Sequence, residues 1–150
     1  MKQLTVAAIA CWLGIMGFVA FVVAPAAFST LDREAAGRFV GAVFPKYYAA
    51  GFGLGLAALA GLLVRAVGRG SRPVDWIPVG LVALMLALTL YAGAVVLPAA
   101  HAARDAMRAA GMDPAAAAGF ARLHRLSSML NGIVMLSGVV ALIMEALKSR

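Results

Sequence analysis

Arg122, His124, Ser127, Ser128 and Asn131 crowd the start of the last apolar stretch of this chain. His124, Ser127 and Asn131 stand at i, i+3 and i+7, so a helix carries them on one face. Imidazole, hydroxyl and amide groups on one face can bind a partner, a lipid headgroup, an ion or a small solute, and imidazole titrates near neutral pH. The same groups can also do no more than bond across to neighbouring helices and hold them together. Either way, polar groups at this depth must turn inward or towards a water-filled cavity.

The two histidines, His101 and His124, flank the third and fourth apolar stretches and so lie at the same end. Imidazoles on facing helices can ligate haem iron or another transition metal. Neither has an acidic neighbour in sequence to orient its ring, so interfacial histidines bonded to headgroups or water are the plainer expectation. No cofactor is expected on that reading, with haem or a metal as the alternative. The single cysteine, Cys11, has no disulfide partner within the chain and reads as a small hydrophobe. The eight methionines are scattered and read as core filler. Asp32, Glu34, Asp75, Asp105, Asp113 and Glu145 fall outside the apolar stretches or at their ends. Ser127 has His124 within reach but no third orienting group, so it is a weak nucleophile. A non-enzymatic role is expected.

These residues need a scaffold, and the composition specifies its solvent. Of the 150 residues, 64% are hydrophobic and 13% charged, against roughly 45–50% and 25% in soluble domains. Mean hydropathy is +0.96. So few charges cannot cover so large an apolar content in water, which excludes an ordinary cytosolic enzyme and a secreted disulfide mini-protein. Thirteen basic and six acidic residues leave a net charge of +7, which suits contact with anionic lipid headgroups. No basic surface interleaved with aromatics suggests nucleic acid.

Four stretches reach the ~20 residues that a transmembrane helix needs: about 4–23, 48–67, 77–97 and 126–147. Arg65 is close enough to the end of its stretch to snorkel. The expected fold is all-α, a polytopic membrane four-helix bundle forming a single domain. Val22–Phe28 reads VVAPAAF and Val95–His101 reads VVLPAAH, 73 residues later. Each string closes an odd-numbered span and leads into an amphipathic segment, about 30–44 and 99–125. The bundle therefore reads as two parallel helical-hairpin repeats, which requires the first span to be retained rather than cleaved as a signal peptide. Ser29 with Asp32 marks one helix start, and Asp113-Pro114 after Gly111 marks another. Gly51 and Gly55, Gly14 and Gly17, and Gly132 and Gly138 are expected to let helix backbones approach closely.

The string Arg122-Leu-His124-Arg-Leu126-Ser127-Ser128-Met-Leu-Asn131 resembles the signature of the transmembrane protein 205-like family. Phe44-Pro45-Lys46-Tyr47 between the first two spans, and Pro98 after the third, are similar to further features of that family. The resemblance spans nearly the whole chain and implies a small four-span membrane protein of no established biochemical activity. The chain departs from the family at Ala92-Gly93-Ala94-Val95, where relatives can carry polar side chains. The expected binding site lies at the mouth of the bundle. Arg122, His124, Ser127, Ser128 and Asn131 would form one wall, with Phe44, Pro45 and Tyr47 opposite and Tyr47 or Tyr48 facing His124. A transport role would require a homo-oligomer, since four spans are thin for a path.

The basic residues divide almost evenly between the two ends. The arginines packed into the short Arg65–Asp75 connection are the signal that the positive-inside rule weighs most. They favour cytoplasmic termini in a bacterial inner membrane. Reporter fusions at the two termini and in the Arg69–Arg72 connection are expected to report one and the same side; opposite sides would rule out four spans.

Overall fold

The computed structural model describes residues 1–68, 72–111 and 113–147. Four helices fill it: α1 (Lys2–Thr30), α2 (Arg33–Gly68), α3 (Pro73–Ala109) and α4 (Pro114–Leu147). Among the described residues there is no strand. Short connections make sequential helices antiparallel neighbours. Each of α1 and α3 packs on both α2 and α4, which places α2 and α4 across a diagonal. All four are long and apolar enough to cross a membrane. The bundle's outside is apolar, with Leu4, Phe18, Phe21, Leu90 and Leu136 strongly exposed, as lipid rather than water requires. The architecture is that of a multi-pass membrane protein.

At 36 residues, α2 is about 54 Å long, well beyond the ~30 Å hydrocarbon core. Most of the amphipathic segment expected over 30–44 forms the first turns of α2, which runs on unbroken through Pro45. Its N-cap is Asp32, whose carboxylate accepts from the N–H groups of Glu34 (3.0 Å) and Ala35 (2.8 Å). Ser29, expected at this start, instead donates to the Ala26 carbonyl in the last turn of α1. The Ala35 N–H, helped by that of Glu34, holds the Asp32 carboxyl below its ordinary value. Its contribution is therefore complete at neutral pH and is lost as pH falls through the lowered value. Asp113 caps α4 in the same way, accepting from Ala115 (3.0 Å) and Ala116 (3.2 Å), after Gly111 turns the chain with φ +61°.

Both α1 and α3 contain one widened π-turn, at Val19–Val23 and Ala92–Val96. Each lies just before a proline, Pro25 or Pro98, that has no N–H to donate and whose ring presses on the carbonyl four residues back. The two turns are separated by the same 73 residues as the two matching sequence strings.

Ile9 and Trp12 of α1, Ala58 and Leu62 of α2, Val82 and Met85 of α3, and Val134 and Ala141 of α4 meet in the main core. A smaller cluster of Ala27, Ala36 and Val40 joins α1 to α2 near their turn. Met16 and Met85 are core residues, whereas Met129 is exposed. Cys11 is exposed on the outer face of α1. Only some glycines are close-approach sites. A Cβ at Gly51 would stand 2.6 Å from the Trp12 indole nitrogen, and one at Gly55 2.7 Å from the Trp12 ring. A Cβ at Gly138 would meet Leu13 and Met85, but one at Gly14, Gly53 or Gly132 would meet nothing within 4 Å, and one at Gly17 only Phe21 of its own helix.

Gly55→Ala is therefore expected to destabilise the detergent-solubilised protein by about 1–3 kcal/mol through overpacking. Gly53→Ala should be neutral or slightly stabilising, because it only removes glycine's entropy cost. Thermal unfolding of the two variants side by side checks the contrast.

Candidate functional site

Across the α2–α4 diagonal, the Tyr47 hydroxyl donates to Asn131 Oδ1 at 2.7 Å. Asn131 Nδ2 donates to the Ser127 carbonyl at 3.0 Å and points at the Tyr48 hydroxyl at 3.4 Å. That hydroxyl lies 3.4 Å from Ser127 Oγ. Three of these groups come from residues expected at the site, and they stand where both helices are buried against α3. Phe44 fixes the tyrosines from one side, edge-on to Tyr47 at 5.9 Å and stacked on Tyr48 at 6.0 Å. Gly93, inside the second π-turn, fixes Tyr48 from the other: a Cβ there would be 3.1 Å from the ring. The bland Ala92–Val95 segment is thus the seat of a tyrosine.

The remaining residues of the expected site lie elsewhere on the surface. Arg122 and His124 are exposed, and His124 stacks on Phe120 of its own helix at 6.2 Å. The tyrosines consequently meet Ser127 and Asn131 rather than His124. Ser128 is exposed and donates to the His124 carbonyl at 3.0 Å. Pro45 is exposed beside an outward groove between α2 and α3. His101 turns to α2, close to Gly41, so the two imidazoles engage different neighbours. Among the described residues no group of three or more His, Cys, Asp or Glu side chains converges as a metal would need. The geometry does not favour the haem or metal alternative.

Charge is also buried at the opposite end. Arg65 does not snorkel: its side chain is 12% exposed and bonds the fully buried Glu145 across the same diagonal. Glu145 lies at a span's end, as expected, but is fully buried there. Asp75 is buried nearby in sequence to the connection, with Arg72 Nε at 3.6 Å. Sequence reasoning missed this pair although both residues fall inside the spans that hydropathy draws. The rule that charges within a membrane pair with one another was the available signal.

Comparison with known proteins yields a family match and one relative. The family described as a domain of unknown function (DUF4149) matches residues 7–109. An uncharacterized protein of Aquifex aeolicus (strain VF5) is 36% identical over 100 residues, covering 67% of this chain and 69% of its own. No solved structure matches the chain.

Removing one partner of a buried ion pair strands the other charge and costs about 3–5 kcal/mol, while apolar replacement of both is often neutral. Glu145→Leu is expected to lower the unfolding temperature sharply, and adding Arg65→Leu should restore most of the loss. A double variant no better than the single one would remove the pair from its assigned role.

Proposed function

The chain belongs to the family described as a domain of unknown function (DUF4149), and from that premise we propose a non-enzymatic membrane protein whose α2–α4 polar cluster binds a small polar ligand. The ligand is a solute or a lipid headgroup, or a polar group presented by a partner. One observation carries this reading: the Tyr48 hydroxyl is held only by two contacts of 3.4 Å, both longer than the 2.7–3.2 Å typical of good hydrogen bonds. A ligand hydroxyl or phosphate oxygen can take over that hydroxyl without breaking the 2.7 Å bond between Tyr47 and Asn131.

Arg122 and His124, exposed about one to two turns nearer the start of α4, would form the approach to the cluster from the headgroup layer. Kinship with the transmembrane protein 205-like family belongs to the same proposal and rests on the Arg122–Asn131 string. So does the reading of α1–α2 and α3–α4 as two parallel repeats, supported by the equal spacing of the strings and the π-turns. The bacterial inner membrane, with cytoplasmic termini, is the location that the short arginine-rich connection supports. Anionic headgroups are the surrounding partners, and transport of a solute would need a homo-oligomer.

Hydrogen bonds between membrane helices average only ~0.6 kcal/mol. Asn131→Leu should therefore keep the thermal stability of the protein within about 2 kcal/mol while abolishing protection by ligand. Thermal-shift measurements with headgroup analogues such as glycerol phosphate and phosphoethanolamine provide the check. If the variant merely unfolds, and no analogue protects the unsubstituted chain, the cluster is structural.

A further inference from the structure

The outward groove between α2 and α3 holds about 350 Å³, within the ~300–1,000 Å³ of small-molecule sites. Phe52, Leu90, Ala94 and Leu97 line it, together with Pro45 and Tyr48. It runs from Thr89 to Leu97 along α3, about 12 Å, and faces away from the bundle core.

At the end of this groove the chemistry changes. His101 stands one turn beyond Leu97, and Arg104 about one turn beyond His101. The facing residues of α2 are Gly41 and Gly37, and the two side chains lie down on that bare backbone. A Cβ at Gly41 would stand 3.1 Å from Arg104 Nη2 and 3.5 Å from His101 Nε2; one at Gly37 would stand 3.4 Å from Arg104 Nη1. Arg104 donates to the Gly37 carbonyl, yet its Nε and the His101 Nε2 are buried with no hydrogen-bond partner. Nearby acids are engaged elsewhere: Glu34 with Arg38 and Arg108, and Asp105 with Arg108. Among the described residues Arg104 has no ion pair.

Buried polar atoms without partners call for one, and a guanidinium without a counter-charge is suited to a phosphate. The groove ends at Leu97 and Pro45, one helical turn short of His101 and Gly41, at the end of the apolar spans. We propose that the α2–α3 seam is a seat for an anionic glycerophospholipid, with one acyl chain in the groove and the phosphate against Arg104 and His101. The glycines at 37 and 41 make room for the phosphate's ligands, and the π-turn at Ala92–Val96 carries Gly93 and Ala94 in the groove wall. This seat is separate from the α2–α4 polar cluster and does not rest on that cluster being a site.

Native mass spectrometry and thermal shift of the full chain in detergent test the proposal. The probes are phosphatidylglycerol, phosphatidylcholine with the same acyl chains, and inorganic phosphate. Phosphatidylglycerol should bind one to one, raise the unfolding temperature and outcompete phosphatidylcholine. Arg104→Gln should weaken phosphatidylglycerol binding by about tenfold, and Arg125→Gln, which removes the same charge on α4, should leave it unchanged. Ala94 is exposed, so Ala94→Trp fills the groove without touching the core and should weaken both lipids. Equal losses from Arg104→Gln and Arg125→Gln would reduce the effect to general charge attraction and overturn the proposal. Full affinity in Ala94→Trp, or equal protection by inorganic phosphate, would overturn it too. Should Arg104→Gln fail to fold, the Ala94→Trp result decides alone.

Discussion

A square of four helices brings each helix against two neighbours and leaves the diagonals to be bridged by side chains long enough to cross. Here the α2–α4 diagonal is crossed by polar groups at both ends: Arg65 to Glu145, and Tyr47 to Asn131. Tyr48 and Arg65 are separated on α2 by about 26 Å, close to the ~30 Å thickness of the hydrocarbon layer. Apolar side chains fill the space between them. The consequence is registry. In lipid, apolar contacts alone would let α2 slide against α4 at small cost, because one apolar neighbour is nearly as good as another. A carboxylate that must stay with one guanidinium, and an amide that must stay with one phenol, do not permit that.

The prolines decide the shape of the other two helices. Pro25 and Pro98 cost α1 and α3 a hydrogen bond each, and the widened turn ahead of each proline absorbs the loss within the helix. In α3 the widened turn has a second effect. It carries Gly93 against the Tyr48 ring, so that the phenol can reach across to α4. A backbone adjustment on one helix thus sets the position of a polar group on a second, which bonds to a third. Glycine is needed there for space rather than for unusual backbone angles, since a Cβ would stand 3.1 Å from the ring.

Burial separates the polar end of the bundle into an inner and an outer layer. Tyr47, Tyr48, Ser127 and Asn131 are inside or at the edge of the core, whereas Arg122, His124 and Ser128 face outward. The helical spacing of His124, Ser127 and Asn131 places them on one face, but Ser127 and Asn131 are half-buried while His124 is exposed. The same face is therefore covered at Asn131 and open at His124. The spacing carried the alignment; how far the neighbouring helices reach was not in it.

Composition and hydropathy determined the solvent, the all-helical class and the four apolar stretches, because each depends on local residue content summed over ~20 positions. Asp113-Pro114 and Gly111 likewise marked their turn, since capping is a contact between residues a few positions apart. Partner choice was different in kind. That Glu145 is buried with Arg65, that Tyr48 sits on Gly93, and that His101 and Arg104 lie over Gly41 and Gly37 all involve residues tens of positions apart. Those pairings depend on the rotation of each helix about its axis and its depth against its neighbours. Only the packed bundle sets these two quantities, because within the four spans each helix is apolar on nearly all sides and its own sequence names no single buried face.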